Sequence, residues 1–440
     1  MTGHEQETRY YPHLIWPNLY KPVFFRRENL SESYKKLSVM VAICLAGGLL
    51  VFEPLLSRGG PVPVASQVFE GKRHYLAQEI LRRVFESKSP WELTRKRFSF
   101  YLNGKGFTAT TTINQSLQAY LDRLFDEALG ARSAIVCIDP ISGRIVAMSG
   151  FDREQPFSKV WTQCLVPSAS IFKIVTAAGV LEFYSMTPSS VFYFNGGRHT
   201  LYRYQLKDNK TRYTSEVTLK EAFSHSINPV FGKLGMKYLK REGLLEMAMR
   251  FLWQRSIPFE LPVKVSPLEI KDDPFSLAEV ASGFNRNTKI TALHEALISA
   301  GIANGGVIMA PSFIDMVVEK AGEIVYQNKF YPLVRALNPK TASLLRQMMQ
   351  ETITKGTGRR AFKGWEKDRV LRRLVMGGKT GTIDSEDHRF RYDLFTGFAC
   401  SRKSGRCLAV GVFVAHQGVI GRRSASYARL AIKKYFEMMQ

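Results

Sequence analysis

Between Leu37 and Phe52 the chain runs without a single charge (LSVMVAICLAGGLLVF), and Leu55 and Leu56 carry the apolar character past Glu53 and Pro54. A bilayer crossing needs about 20 such residues, so the pattern predicts a membrane anchor over 37–56. No polar face interrupts it, as one would in an amphipathic core helix. The tail over 1–36 carries Arg26, Arg27, Lys35 and Lys36 just ahead of the run. That excess of positive charge places the N-terminal side in the cytoplasm and the remainder outside. From 57 to 108 the chain is first Pro/Gly-bearing and then basic and helix-like (HYLAQEILRRVFESKSPWEL). It reads as a linker, either a stalk or an N-terminal wrap around the domain after it.

From 109 to 440 the pattern changes to that of a compact mixed domain. Leu117 to Leu129 has helical periodicity. Ala134–Ile138 and Arg144–Met148 are β-rich runs around the turn Asp139-Pro140-Ile141-Ser142-Gly143, the signature of a hairpin. A helical stretch covers Ile171 to Phe183, and Thr218-Leu219-Lys220-Glu221 has the form of a capping box opening another. Leu394–Cys400 and Leu408–Ala415 predict a second hairpin, with an amphipathic helix from Ser424 to Met438 closing the chain. Strands at both ends with helices between them predict an α+β fold: a central antiparallel sheet completed by N- and C-terminal strands and flanked by helices.

Composition changes this picture only through charge. Lys and Arg number 62 against 38 Asp and Glu, a formal net charge of +24. Such an excess suits an anionic partner, whether nucleic acid, acidic lipid or wall polymer. The predicted anchor and external location argue against nucleic acid, and a basic face including Arg359, Arg360, Lys363, Arg372 and Arg373 can equally be simply solvated. Five cysteines, none at C-x-x-C spacing, and eight histidines without an H-E-x-x-H pair leave no metal motif, so neither metal nor cofactor is expected. Cys400 and Cys407 flank the turn of the second hairpin and would pair in an oxidising compartment if the strand register brings them opposite.

Three short patterns carry candidate chemistry. In Ser170-Ile171-Phe172-Lys173 a lysine follows a serine by one helical turn, placing both side chains on one face. A hydroxyl is a weak nucleophile and needs a base within reach. A buried lysine with a lowered pKa can serve. The bare pattern recurs at Ser33-Tyr34-Lys35-Lys36, so position singles out Ser170: it follows a sheet hairpin and heads an apolar helix. Ser226-Ile227-Asn228 can present a proton relay and an amide ligand side by side, or can be a polar helix-end loop before Pro229. Lys379-Thr380-Gly381-Thr382, after Gly377-Gly378, suits a strand that pairs with an extended peptide and binds its carboxylate. Glycine at 381 would allow close approach of substrate.

In this order the three patterns resemble the penicillin-binding protein and serine β-lactamase superfamily. The likeness extends to Thr111-Thr112-Ile113 with Leu117-Gln118, to Asp139-Pro140 with Gly143 and Ala147-Met148, and to Ile290-Thr291-Ala292-Leu293. Ala303-Asn304-Gly305-Gly306 and Gly356-Thr357-Gly358 also fit. The resemblance implies Ser170 as the acylated nucleophile, Lys173 as its base and Ser226 as a relay to the leaving amine. It implies Asn228 as a ligand of the donor amide, and Lys379, Thr380 and Thr382 as ligands of a terminal carboxylate, with the Ser170 and Thr382 N–H groups as oxyanion hole. Many relatives have Pro-Gly before the serine where this chain has Ser168-Ala169.

The activity so implied is a membrane-anchored D,D-transpeptidase that cross-links peptidoglycan stem peptides and is acylated by β-lactams. A D,D-carboxypeptidase or endopeptidase, or a sensor of β-lactams or wall fragments, would use the same residues. A β-lactamase fits less well, since no E-x-x-L-N-like segment lies between Asn228 and Lys379. The 57–108 segment is too short for a glycosyltransferase domain, so a separate glycosyltransferase is an expected partner, with membrane lipid the other.

Overall fold

The computed structural model describes residues 80–126 and 128–439. The predicted tail, the anchor over 37–56 and the linker up to 79 lie outside the described residues. Among those described, no helix is long and apolar enough to cross a membrane.

Along the chain, strands β1 (Arg97–Leu102) and β2 (Lys105–Thr111) precede helix α1 (Gln115–Asp126) and the hairpin β3 (Arg132–Ile138) and β4 (Ile145–Asp152). A helical layer comes next, with α2 (Lys173–Phe183), α3 (Leu219–Ser224), α4 (Asn228–Lys233), α5 (Pro274–Ser282) and α6 (Ala292–Ala303). Strands β5 (Ile314–Glu319) and β6 (Ile324–Gln327) lead to α7 (Pro339–Thr354). Then come the long strands β7 (Leu374–Asp384), β8 (Arg391–Ser401) and β9 (Cys407–His416), and finally α8 (Ser424–Glu437). The other elements are named by their residues.

The main sheet has the order β7-β8-β9-β3-β4, antiparallel throughout. Its inner strands read as nearly unbroken apolar runs because both faces are covered. Ala134, Val136 and Ile138 of β3 join one core with Phe398, Ala409 and Phe413. Ile135 and Cys137 face the opposite core, with Phe395, Val410 and Val412. Helix α6 covers the first face and is buried along all its length, as its apolar sequence ALHEALISAGIA requires. Helices α1 and α8 cover the second, where Phe125 stacks on Tyr427 at 4.8 Å.

The two hairpins pair as the sequence predicts, and the capping box at Thr218 forms, Glu221 N–H donating to Thr218 Oγ1 at 3.2 Å. Cys400 and Cys407 stand directly opposite and form a disulfide. Helix α1 ends at Asp126, earlier than the periodicity to Leu129 suggests; Leu129 lies 65% exposed.

The end of the predicted linker is folded into the structure. The chain is helical over 80–85, and β1 and β2 form a four-stranded sheet in the order β1-β2-β5-β6. Phe85 is fully buried, its ring 5.1 Å from Phe98, 5.3 Å from Phe100 and 6.1 Å from Phe313. Arg82 Nε donates to the Phe259 carbonyl at 3.2 Å. Most of the basic residues in this stretch lie outside, while Phe85, Phe98, Phe100 and Phe107 enter the core. Phe85→Ala should therefore cost about 3–5 kcal/mol in urea unfolding. A loss below about 0.5 kcal/mol, the usual scale of an exposed-surface change, would return the segment to a stalk.

Candidate active site

Ser170 lies in a 3-10 turn, Ala169–Phe172, that runs into α2. The turn is set by Ala169, whose φ of +46° is in the left-handed region. An alanine there costs about 1–2 kcal/mol, which accounts physically for the glycine that many relatives carry at this point. Two neighbours hold it in place. Ser168 N–H donates to the Thr288 carbonyl at 2.8 Å. Gly283, at φ +64°, sits so close behind that a Cβ would fall 1.8 Å from the Ala169 carbonyl oxygen.

Lys173, one turn on, is completely buried. Its Nζ lies 2.9 Å from Ser170 Oγ, 2.7 Å from Asn228 Oδ1 and 2.5 Å from the Ser282 carbonyl. A neutral amine has two N–H groups and one lone pair. The amide oxygen and the carbonyl can take the two donors, which leaves the lone pair to accept from the Ser170 hydroxyl. Three oxygen partners would also suit an ammonium, but burial disfavours the charge and Lys379 adds repulsion. Together they hold the Lys173 pKa well below its ordinary 10.5.

Asn228 is fixed from outside: its N–H donates to the Arg198 carbonyl at 2.7 Å and its Nδ2 to the His199 carbonyl at 2.8 Å. Ser226 sits between α3 and α4 at φ +57°, a strained conformation that turns its hydroxyl toward the strand β7. There Lys379 Nζ donates to Ser226 Oγ at 2.9 Å. Lys379 is also fully buried, and burial brings its pKa down to about 7. The polar atoms thus form a chain, Ser170–Lys173–Asn228 on one side and Ser226–Lys379 on the other, beside the phenyl rings of Phe231 and Phe223.

Strand β7 is the edge of its sheet, and among the described residues no strand pairs with its outer side. An extended peptide can add there. Gly381 has a different reason from the one its sequence suggests. A Cβ at 381 would stand 3.2 Å from the Ala169 Cβ and 3.4 Å from Ile171 Cγ1, so the missing side chain lets the strand lie against the serine-bearing turn. Thr382 is exposed beyond it.

Sequence reading brought out all five polar groups of the cluster but missed their supports. The Ser282 carbonyl comes from the C-terminus of α5, recognisable only as a helix end by Asp273-Pro274 at its start and Gly283 after it. Thr357 lies in the 356–358 segment; its N–H donates to the Ser224 carbonyl at 3.0 Å and its hydroxyl meets that of Thr380 at 2.5 Å. It ties the Ser226 loop to β7, and no local pattern announces that contact.

This arrangement, a serine with a buried lysine on a helical turn and a lysine-bearing strand edge opposite, is that of a serine acyl-transfer fold. The chain belongs to the penicillin binding protein transpeptidase domain family, whose model matches residues 133–434. It is 25% identical to peptidoglycan D,D-transpeptidase PbpA of Mycobacterium tuberculosis over 58% of this chain, and it spans 58% of that relative's length. Among solved structures it is similar to the D,D-transpeptidase domain of a peptidoglycan glycosyltransferase from Eggerthella lenta. The TM-score is 0.63 at 24% identity, over 75% of this chain and 83% of that one. PBPA from M. tuberculosis aligns with a TM-score of 0.61 at 23% identity, over 74% and 81% of the two chains; that protein is also known as a penicillin G acyl-enzyme complex.

The two lysines set a pH profile. With Ser170 as nucleophile and Lys173 as its base, the expected acylation rises on the acid side as Lys173 loses its proton. A carboxylate-bearing ligand requires Lys379 charged, so binding to the free protein falls above about pH 7. The second-order rate constant for acylation by penicillin should therefore be bell-shaped, and Lys379→Arg, which keeps its charge, should lose the alkaline limb. A parent profile flat across this range would contradict the assignment.

Proposed function

We propose that this chain is a serine D,D-transpeptidase that cross-links peptidoglycan stem peptides through an acyl-enzyme on Ser170. The observation that carries the reading is the Lys173 amine, buried with its two donors taken up by Asn228 and Ser282 and its third position on Ser170 Oγ. A donor peptide lies along the edge of β7, its terminal carboxylate held by Lys379, Thr380 and Thr382 and its amide by Asn228. Lys173 takes the Ser170 proton as Oγ attacks the donor carbonyl, and the N–H groups of Ser170 and Thr382 receive the oxyanion. Collapse breaks the C–N bond, and Ser226, in contact with Lys379, passes a proton to the departing amine. The acceptor amine then attacks the ester and gives up its proton to Ser226, and the Ser170 oxygen leaves as Lys173 returns to it the proton that it took.

The same reading places a single membrane crossing at 37–56 with the folded unit outside the cytoplasm. The Cys400–Cys407 disulfide supports an oxidising compartment. With 80–108 committed to the fold, the connection from the crossing is too short to house glycan polymerisation, which we assign to a separate glycosyltransferase.

β-Lactams enter the scheme as donors whose leaving group cannot depart. Among the described residues, none of the groups bonded to Ser170, Lys173, Ser226 or Lys379 is a carboxylate that could activate water. Fluorescent penicillin should therefore label Ser170, as read by peptide mapping, and the label should persist for minutes or longer. Ser170→Ala should fold and lose it. Label mapped to Ser168 or Ser33 sinks the assignment, and rapid hydrolysis of penicillin would make the protein a β-lactamase. Product analysis on pentapeptides with and without an acceptor amine separates cross-linking from carboxypeptidase action.

A further inference from the structure

The chemistry above uses two backbone carbonyls of the segment 195–214, those of Arg198 and His199, but not its side chains. These are unusual for a surface loop. Tyr202 and Tyr204 lie nearly parallel, with ring centroids 5.8 Å apart and planes 11° from each other, and both are 55% exposed. Tyr213 is 72% exposed. The segment carries Arg198, Arg203, Lys207, Lys210 and Arg212 against Asp208 alone.

Despite its exposure the segment is held firmly. Gln205 is fully buried; its Nε2 donates to the carbonyls of Asn195 (2.8 Å) and Gly197 (3.0 Å), and its Oε1 accepts from Tyr202 N–H (2.9 Å) and Thr200 Oγ1 (3.1 Å). Asn195 clamps the far side, donating to the Asn209 carbonyl at 2.8 Å and accepting from Thr214 Oγ1 at 2.7 Å. Next to this clamp lies a cavity of about 220 Å³ lined by Asn195, Asp208, Asn209, Lys210 and Lys233, with the Tyr193 ring under Lys210 at 3.6 Å. Buried polar wiring beneath exposed aromatic faces is the construction of a pre-organised binding surface, since ordering a loose loop would cost affinity.

The geometry points to residues 195–214 as a docking surface for the glycan part of the donor strand. A sugar ring offers apolar C–H faces and a rim of hydroxyls. Flat tyrosine faces with polar edges match the first, and the amide, carboxylate and ammonium groups of the cavity match the second. The stem peptides of that strand carry carboxylates, which the five basic side chains complement. The location fits as well: the Arg198 and His199 carbonyls of the same segment hold Asn228, the residue assigned to the donor amide. The inference rests on the transpeptidase reading.

The test measures binding of a disaccharide-pentapeptide and of the matching free pentapeptide to the full chain carrying Ser170→Ala, so that no turnover intervenes. The glycopeptide should bind about tenfold tighter, and adding Tyr202→Ala with Tyr204→Ala should remove that preference while leaving the free pentapeptide affinity unchanged. Equal affinity for the two probes in the Ser170→Ala chain overturns the surface. So does equal weakening of both probes by the tyrosine changes, which would make the segment a peptide contact. Penicillin acylation of the unmodified chain reports on the underlying reading separately. Its failure removes the enzyme, whereas acylation without a sugar preference removes only the glycan surface.

Discussion

A lysine ammonium is costly to bury, and Lys173 is wholly buried within reach of a second buried lysine. The structure resolves this cost by favouring the amine, and much of the surrounding architecture depends on it. Helix α5 must end where its last carbonyl can accept from Nζ, which places Gly283 against the Ala169 carbonyl and fixes the serine turn. Asn228 must present its oxygen inward, which requires the His199 carbonyl to hold its Nδ2 outward while the Arg198 carbonyl fixes its backbone N–H. Strand β7 must carry Lys379 into the same cavity while Gly381 slides past the turn. Breaking one contact leaves either a misdirected amine or an unsatisfied buried oxygen.

The strain at the site has the same origin. Ala169 and Ser226 both occupy the left-handed region, at about 1–3 kcal/mol each. Each strained residue aims a hydroxyl at a lysine, its neighbour's in the first case and its own in the second. Packing on three elements, α5, β7 and the 356–358 segment, over-determines both conformations. The rigid 195–214 loop extends the arrangement outward: the wiring through Gln205 that keeps the carbonyls of residues 198 and 199 on Asn228 also keeps Tyr202 and Tyr204 on the surface.

What could be read from the sequence was what is local or strongly patterned. The β3–β4 and β8–β9 hairpins, the Thr218 capping box, and the Ser170, Ser226 and Lys379 motifs depend on neighbouring residues or on fixed spacing. The Cys400–Cys407 pairing depended only on register across a short turn. Contacts made at long sequence distance were not legible. Nothing near Thr357 reveals that its hydroxyl meets Thr380, and nothing near Ser282 reveals that its carbonyl faces Lys173. The 80–108 segment misleads because its basic residues outnumber the few aromatics that enter the core. Gly381 was legible as a close-approach position, but the approaching group is the serine turn.

The central claim is that burial and the neighbouring Lys379 shift Lys173 toward the neutral amine. It can be measured by labelling the protein with lysine carrying 13C at Cε, assigning the Lys173 signal by its loss in Lys173→Arg, and titrating the shift. The expected result is a midpoint well below the ordinary 10.5 and a higher midpoint in Lys379→Met, where the neighbouring cation is gone. A Lys173 signal that stays that of an ammonium through pH 7 and titrates near its ordinary value would contradict it.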